Sequence, residues 1–271
     1  MIDNCTLPIP KIIHYCWFGG NPKTKLINKC IKSWEKYCPG YQIIEWNENN
    51  FDINMCPLYV KQAYETKKWA FVTDYVRLKI IFENGGIYFD TDVELIRPID
   101  DLLCYDAFFG IEKTKKDKYY IATGLGFGAI KGYKLLFEMM SEYDDISFLL
   151  PNNKTDSLSC LLRNDSIFSK YGYNNENMTQ IINENTIVLS SDYLCPMDWS
   201  SGSIRIEKQT YSIHHYDASW FSSQERDKLK QNWKKNAKKM RYHFIKTLPN
   251  RILQKILGLD NYNKLKQYLK K

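Results

Sequence analysis

No apolar run in this 271-residue sequence approaches the roughly 20 residues that a membrane-spanning helix needs. The amino terminus, Met1 to Asn4, lacks the basic and then apolar stretches of a secretory signal peptide. Both absences argue against an integral membrane protein and against a secreted one. We therefore expect a cytoplasmic protein.

The eight cysteines never stand at Cys-x-x-Cys spacing, so the sequence predicts neither a zinc ribbon nor a disulfide scaffold. We expect most of them to be reduced core residues. Internal repeats and low-complexity tracts are also missing. What is present is 44% apolar and 25% charged, an ordinary balance for a globular chain that is long enough to bury one sizeable core.

Charge is distributed unevenly along the chain. Residues 1–223 carry 23 Lys and Arg against 28 Asp and Glu, whereas residues 224–271 carry 15 against 3, a net charge of +12. In the second segment apolar residues interleave with the cations on both sides of Pro249, which predicts two amphipathic helices. This basic segment either attaches to the anionic inner face of a plasma membrane or caps the core with a solvated basic face.

Alternating elements begin the chain. Residues 11–18 form an apolar, β-favouring run, residues 24–37 have apolar side chains at helical spacing, and residues 41–46 have the pattern of a second strand. This order predicts an α/β fold with a parallel sheet. Later predicted elements are strands at 107–111, 124–130, 186–189 and 211–216 and a helix at 134–143.

The strongest helical pattern covers residues 68–84 and is too broadly apolar for an exposed helix. Asp74 and Arg77 interrupt it at i, i+3 spacing and so share a face. Because unpaired charges are costly to bury, we expect them to pair with each other or to face a polar cavity. Gly85 and Gly86 then supply a helix stop.

Asp90 and Asp92 follow that stop and a short apolar run, Ile87 to Phe89. Two carboxylates at the end of a strand, one residue apart, point from one edge of a sheet toward the crevice beyond it. Hard oxygen ligands in that place suit a divalent cation that is held against a diphosphate. The pattern predicts an enzyme that uses a nucleotide sugar.

Four separated motifs together resemble glycosyltransferase family 32, with its DXD sugar-binding region, and more distantly the catalytic domains of the large clostridial glucosylating toxins. They run from Ile9 to Gly19, from Ala70 to Arg77, from Gly85 to Asp92 and from His214 to Trp220. The resemblance implies a GT-A fold over a catalytic domain at 1–223, followed by the basic helical segment 224–271.

The resemblance also implies a function. It is the transfer of a hexose from a nucleotide-diphosphate sugar, with UDP favoured, to a hydroxyl of a bacterial surface glycan or its lipid-linked precursor, as in capsular polysaccharide biosynthesis. Transfer would retain the anomeric configuration and need Mn²⁺ or Mg²⁺. A GDP-mannose-dependent mannosyltransferase of the same family is the alternative.

Among the acidic residues, the resemblance makes Asp92 a metal ligand. It has Asp90 contact the ribose or reach the metal. Asp74 and Arg77 bind hydroxyls of the donor sugar, and a purely structural ion pair is the alternative for these two.

The resemblance also implies that a histidine or an asparagine late in the chain completes the metal coordination, and in the toxin relatives an asparagine occupies this neighbourhood. Adjacent residues on a strand point to opposite sides, so we expect at most one of His214 and His215 to be a ligand, with His215 preferred. Ser219 and Trp220 resemble residues that close over the β-phosphate of the donor; a buried core tryptophan is the alternative.

Tyr15 and Trp17 lie near the end of the first predicted strand, where flat rings could stack on the nucleobase. A place in the core is the alternative for both.

Two functions of other classes also remain open. The basic segment with its aromatic residues suggests a nucleic-acid binder, which the acidic body and the apolar helical placement of those aromatics disfavour. A non-catalytic glycan-binding relative is disfavoured by the intact acidic pair.

Overall fold

The computed structural model describes residues 8–114, 118–151, 154–156, 158–217, 223–247 and 250–268. The chain divides into two compact units. One unit consists of Met1–Trp199 with Ile204–Ser222, and the other of Ser200–Ser203 with Ser223–Lys271. The division into a catalytic domain and a tail at residue 223 stays a prediction.

The first unit begins with the predicted β-α-β order. Strand β1 is Ile12–Cys16, helix α1 is Lys25–Tyr37 and strand β2 is Gln42–Trp46, and the two strands are parallel. The side chain of Thr24 caps α1, because it accepts a hydrogen bond from the backbone N–H of Ile27.

The later elements of this unit are mostly short. Its helices are α2 Leu58–Glu65, α3 Trp69–Asn84, α4 Lys134–Ser141, α5 Cys160–Lys170 and α6 Ser191–Leu194. Its strands are β3 Gly86–Tyr88, β4 Val93–Leu95, β5 Ala107–Lys113, β6 Tyr119–Ile121, β7 Phe127–Ala129, β8 Leu149–Leu150, β9 Lys154–Thr155, β10 Gln180–Ile182, β11 Thr186–Leu189 and β12 Ser212–His214.

One mixed sheet organises the unit. Its strand order is β10-β11-β5-β7-β3-β1-β2, with β6 paired to β5. Strand β7 is antiparallel to both of its neighbours, β3 and β5, so β5 runs in the same direction as β3 and β1. The carboxyl ends of these three strands therefore meet at one edge of the sheet. This architecture confirms the predicted α/β class.

Helix α3 packs its apolar residues into the core beside this sheet. Val72, Val76, Leu78, Ile80 and Ile81 have no exposed surface, as the broadly apolar pattern predicted. The helix ends where Gly85 takes a positive φ of 69°, a conformation that glycine adopts without steric cost.

Among the described residues six cysteines are free thiols, which confirms that most are reduced, and Cys104 is disulfide-bonded. In the second unit α7 spans Ser223–Thr247 and α8 spans Asn250–Tyr268 with a non-helical break at Gly258. The predicted C-terminal helices are thus confirmed. No described helix combines the length and the apolar character that crossing a membrane requires.

A buried histidine joins β1 to the turn after α3. His14 has no exposed surface; its Nδ1 accepts a hydrogen bond from the indole N–H of Trp46 at 3.0 Å, and its Nε2 lies 3.0 Å from the carbonyl oxygen of Gly85. One neutral tautomer satisfies both contacts, because Nε2–H donates while Nδ1 accepts. Burial lowers the pKa of His14 to about 4.

We expect His14 to make stability depend on pH. Between its folded pKa of about 4 and its ordinary value near 6.5, only the unfolded chain binds the proton. The free energy of unfolding should therefore fall by about 1.4 kcal/mol per pH unit as the pH drops through this window. Urea unfolding at several pH values measures the slope.

The control for this prediction is His14→Gln, which keeps a donor and an acceptor but does not titrate. It should remove that part of the slope, while the contribution of the carboxylates stays. Equal slopes in the two proteins between pH 4.5 and 6.5 would show that His14 is not the group responsible.

Candidate active site

The two aspartates of the Asp-x-Asp motif lie in the turn that joins β3 to β4. The backbone N–H of Val93 donates to the carbonyl oxygen of Asp90 at 3.0 Å and closes the turn. The carboxylate of Asp92 accepts a hydrogen bond from the backbone N–H of Asp217 at 2.8 Å, and its carbonyl oxygen accepts one from the N–H of His215 at 3.0 Å. The turn is therefore held by the segment that follows β12.

Strand β12 brings a histidine to the aspartates. It pairs antiparallel with β4, with His214 opposite Val93. The Nε2 of His214 lies 3.3 Å from Oδ1 of Asp92. Ligand atoms of Asp90, Asp92 and His214 all lie within 4.8 Å of one another, so two carboxylates and one imidazole converge.

This arrangement corrects the preference for His215. The side chain of His215 points away from the aspartates and bonds Glu94, with Nε2 2.7 Å from Oε2. The same carboxylate oxygen pairs with Lys29 at 2.7 Å. The expectation that only one of the adjacent histidines faces the site agrees with this geometry, but the register of β12 places His214 there.

Arg77 links α3 to the aspartate pair. Its Nη2 lies 2.5 Å from Oδ1 of Asp74, and its Nη1 lies 3.4 Å from Oδ2 of Asp90. Its Nε–H donates to the carbonyl oxygen of Thr73 at 2.9 Å, and Tyr88 donates its hydroxyl to Asp90 at 3.1 Å. The predicted i, i+3 ion pair is thus present, and its arginine also contacts the motif.

Gly124 lies against this network. A Cβ atom at this position would stand 2.5 Å from Oδ2 of Asp90 and 3.0 Å from Nη1 of Arg77. Any side chain here would displace the Asp90 carboxylate. Glycine is therefore required so that the segment before β7 can approach the motif.

The charged groups shift one another's pKa values. Burial acts to raise the pKa of Asp92, but the His214 imidazole and the Asp217 N–H outweigh burial and leave it below its ordinary value. Burial raises the pKa of Asp90 despite Arg77, and the nearby charge of Asp92 adds to this effect. The pKa of His214 lies well above its ordinary value, because Asp92 outweighs the effect of burial. Perturbed groups that converge in this way are typical of functional sites.

The pKa values of the ion pair on α3 follow the same rules. Burial raises the pKa of Asp74 although Arg77 opposes it. Burial acts to lower the pKa of Arg77, but Asp90 and Asp74 hold it well above its ordinary value. Arg77 therefore remains a cation between two carboxylates.

Tyr15 and Trp17 differ in their surroundings. Tyr15 is buried, its hydroxyl donates to Glu45 at 2.6 Å, and its ring packs 5.5 Å from that of Trp34. These contacts favour the core alternative for Tyr15. Trp17 is half-buried and donates its indole N–H to the carbonyl oxygen of Asn21 at 2.7 Å, so nucleobase stacking stays a proposal for it. Ser219 and Trp220 lie outside the described residues.

Trp34 of α1 supports the Asp-x-Asp turn by contacting the residues that flank it. It is fully buried, its ring centroid lies 5.7 Å from that of Phe89, and its indole N–H donates to the carbonyl oxygen of Val93 at 2.8 Å. One tryptophan therefore contacts the residues on both sides of the aspartate pair.

Two site residues were not singled out from the sequence. Glu112, in β5, and Tyr216, just after β12, interact with each other, and His214 and the two aspartates act electrostatically on Glu112. Tyr216 stood inside the quoted motif from His214 to Trp220. For Glu112 the available signal was a carboxylate near the carboxyl end of a predicted strand.

Part of the chain, including the Asp-x-Asp turn, is similar to known proteins. Residues 24–109 match the family model described as glycosyltransferase sugar-binding region containing DXD motif. Inositol phosphoceramide mannosyltransferase 3 of Schizosaccharomyces pombe is 33% identical over 114 residues, which cover 39% of this chain and 30% of that protein. The chain thus spans less than a third of the curated relative it matches.

Two solved structures are similar at low identity. The PaToxG glycosyltransferase is 14% identical with a TM-score of 0.41, covering 60% of this chain and 67% of that one. A glycosyltransferase involved in the glycosylation of the major capsid of PBCV-1 is 14% identical with a TM-score of 0.42, covering 81% and 98%.

The family match includes α1, β2, α3, the Asp-x-Asp turn and the start of β5. It therefore contains Asp74, Arg77, Asp90 and Asp92, the acidic and basic groups that converge in the structure. The resemblance to glycosyltransferase family 32 is confirmed over residues 24–109, which are similar to the DXD-containing sugar-binding region of glycosyltransferases.

Proposed function

We propose that this protein is a metal-dependent glycosyltransferase that moves a hexose from a nucleotide-diphosphate sugar to a hydroxyl group. The observation that carries the proposal is the convergence of Asp90, Asp92 and His214 within 4.8 Å at the sheet edge where ligands bind in open α/β folds. The family match over residues 24–109 supports it.

The three side chains fit a divalent cation. Two carboxylates and an imidazole form a mixed oxygen and nitrogen set that suits Mn²⁺ and also Mg²⁺. Nε2 of His214 and Oδ1 of Asp92 lie 3.3 Å apart. This distance is longer than a charge-assisted hydrogen bond of about 2.7–2.9 Å, so both atoms have room to face a shared ion. We assign Asp92, Asp90 and His214 as the metal ligands.

When bound, the ion supplies positive charge against the diphosphate as it leaves. The chain supplies the remaining interactions. Arg77 holds Asp74 and Asp90 in fixed positions, and Asp74 accepts hydrogen bonds from hydroxyls of the donor sugar. Trp17 stacks on the nucleobase, and Ser219 and Trp220 close over the β-phosphate.

For the stereochemical outcome we propose retention by attack on the same face. The bond between the anomeric carbon and the diphosphate oxygen breaks while the acceptor oxygen bonds to that carbon. The proton of the acceptor hydroxyl passes to the departing diphosphate. This route needs no enzymatic nucleophile.

We propose UDP as the carrier of the donor sugar. A specific observation favours GDP-mannose as the second candidate, since the Schizosaccharomyces pombe relative is a mannosyltransferase by name. The proposed acceptor is a bacterial surface glycan or its lipid-linked oligosaccharide precursor, as in capsular polysaccharide biosynthesis.

The basic second unit suggests where that acceptor is met. On α8 the side chains of Ile252 and Ile256 are 44% and 68% exposed, and they lie one helical turn apart among lysines and arginines. We propose that this face contacts the anionic inner surface of a plasma membrane, where electrostatic attraction adds about 1 kcal/mol per cation.

A thermal-shift panel tests the donor. With Mn²⁺ present, the correct nucleotide sugar at about 100 times its dissociation constant should stabilise the folded state by about 2.7 kcal/mol, which corresponds to about 5–10 °C. The panel compares UDP-hexoses with GDP-mannose, each with Mn²⁺ and with a chelator. The shift should vanish with the chelator, because the diphosphate then lacks its counter-charge.

Asp92→Asn serves as the matched variant in this panel, since it removes one proposed ligand without changing the size of the side chain. It should lose the shift. If no nucleotide sugar stabilises the wild-type protein with either Mn²⁺ or Mg²⁺, the proposed function is wrong.

A further inference from the structure

Glu112 reaches the same sheet edge as the Asp-x-Asp motif. It is the sixth of the seven residues of β5. Because β7 is antiparallel to both β3 and β5, the carboxyl ends of β3 and β5 point the same way. Asp90 follows the end of β3, so the topology brings the two carboxylates to one side of the molecule.

Tyr216 interacts with Glu112 and packs on His214. Its hydroxyl lies 2.9 Å from Sγ of Cys195 and interacts with the Glu112 carboxylate. Its ring centroid lies 4.2 Å from that of His214. Its backbone has a positive φ of 50°, which is rare for a tyrosine and persists only where the surroundings enforce it.

Glu112 adds a third carboxylate where two already converge. Asp90 and Asp92 repel its charge and His214 attracts it, and burial together with the two aspartates raises its pKa. Within the described part of the chain no lysine or arginine forms an ion pair with Glu112. Glu112 therefore belongs to the same cluster of charged side chains as Asp90, Asp92 and His214.

The site has two ends. At one end Arg77 ties Asp74, the proposed donor-sugar ligand, to Asp90. At the other end Asp92 contacts His214, which packs on Tyr216, and Tyr216 interacts with Glu112. If the donor sugar lies beside Asp74, the attacking hydroxyl of the acceptor must approach the anomeric carbon from another part of this series of side chains, which runs from Asp74 to Glu112.

We propose that Glu112 is an acceptor-binding residue whose carboxylate accepts a hydrogen bond from a hydroxyl of the acceptor sugar. Tyr216 is the positioning residue that fixes the carboxylate in place. The inference rests on the proposed transferase function and deepens it, because it assigns the acceptor side of the site.

The experiment compares transfer to a sugar with transfer to water. Wild type, Glu112→Gln and Glu112→Asp are given the same donor and Mn²⁺. The acceptor is the methyl hexoside that the wild-type protein uses best, and hydrolysis of the donor without acceptor measures transfer to water. In Glu112→Gln the ratio of transfer to hydrolysis should fall about 10- to 100-fold, as expected for loss of a hydrogen bond to a charged group, mainly through a higher acceptor KM.

Glu112→Asp keeps the charge and should recover part of that ratio, which a merely structural role would not produce. Glu142→Gln makes the same chemical change at an exposed position after α4 and should match the wild type. Tyr216→Phe should shift the ratio in the same direction as Glu112→Gln but less, and it tests the inference independently of the stability of Glu112→Gln.

Two results would overturn the inference. In one, Glu112→Gln keeps the wild-type ratio; in the other, hydrolysis and transfer fall together, which would place Glu112 on the donor. A wild-type protein that consumes no donor would instead contradict the proposed function itself.

Discussion

Replacing Asp92 with asparagine should lower the rate of sugar transfer by about a thousandfold or more. The change removes a charged ligand from the set formed with Asp90 and His214 and leaves the size of the side chain unchanged. Each 1.36 kcal/mol of lost transition-state stabilisation costs a factor of ten, and a bound ion contributes several times that amount. Release of nucleoside diphosphate at saturating donor and Mn²⁺ measures the effect.

The fold should survive this substitution. The asparagine side chain keeps an oxygen that can accept the hydrogen bond from the backbone N–H of Asp217. Asp90→Asn should also lose most activity, since it removes a second ligand and one of the two charged partners of Arg77. The control is Asp145→Asn, at an exposed position, which should keep wild-type turnover.

Unchanged turnover in both Asp92→Asn and Asp90→Asn would end the case for a catalytic metal at this edge. A selective loss of apparent Mn²⁺ affinity, with turnover partly restored at high Mn²⁺, would agree with it. Measuring turnover against Mn²⁺ concentration separates these results.

Replacing Trp34 with alanine should lower the free energy of unfolding by about 3–5 kcal/mol. The side chain is completely buried between Tyr15 and Phe89, so its removal leaves a large cavity. For a domain of this size the melting temperature should fall by roughly 10 °C. Urea unfolding and thermal denaturation measure the loss.

Trp34→Phe separates packing from hydrogen bonding. It keeps a ring but leaves the carbonyl oxygen of Val93 without the indole N–H, and a loss of about 1–3 kcal/mol is expected. Phe137→Ala removes a ring that is 55% exposed and should cost less than about 1 kcal/mol. If Trp34→Ala costs no more than Phe137→Ala, the assignment of Trp34 as a support of the Asp-x-Asp turn is wrong.

Elements with a clear local pattern were predicted well. The apolar period of 68–84 corresponds to α3, Trp69–Asn84, and the strand at 186–189 has the predicted limits. Helix α2 and strands β4 and β6 were not predicted. The two strands have three residues each, too few for a period to be read from the sequence alone.

The candidate site likewise combines features that local spacing predicts with one that depends on how distant strands pair. The pairing of Asp74 with Arg77 follows from i, i+3 spacing on one helix, and the closeness of Asp90 to Asp92 follows from their separation by one residue. The assignment of the facing histidine to His215 failed because it depended on the register of β12 against β4. A shift of one residue in such a pairing turns every side chain to the other face.

The sequence by itself determined the α/β class, the position of the acidic pair after a Gly-Gly stop, and the basic helices at the end of the chain. Each of these depends on residues within one or two turns or strands of one another. Only the tertiary structure decided that His214 faces the aspartates, that Gly124 must lack a side chain, and that Glu112 and Tyr216 join the site. Those contacts connect strands far apart in the chain, and their geometry arises only when the sheet assembles.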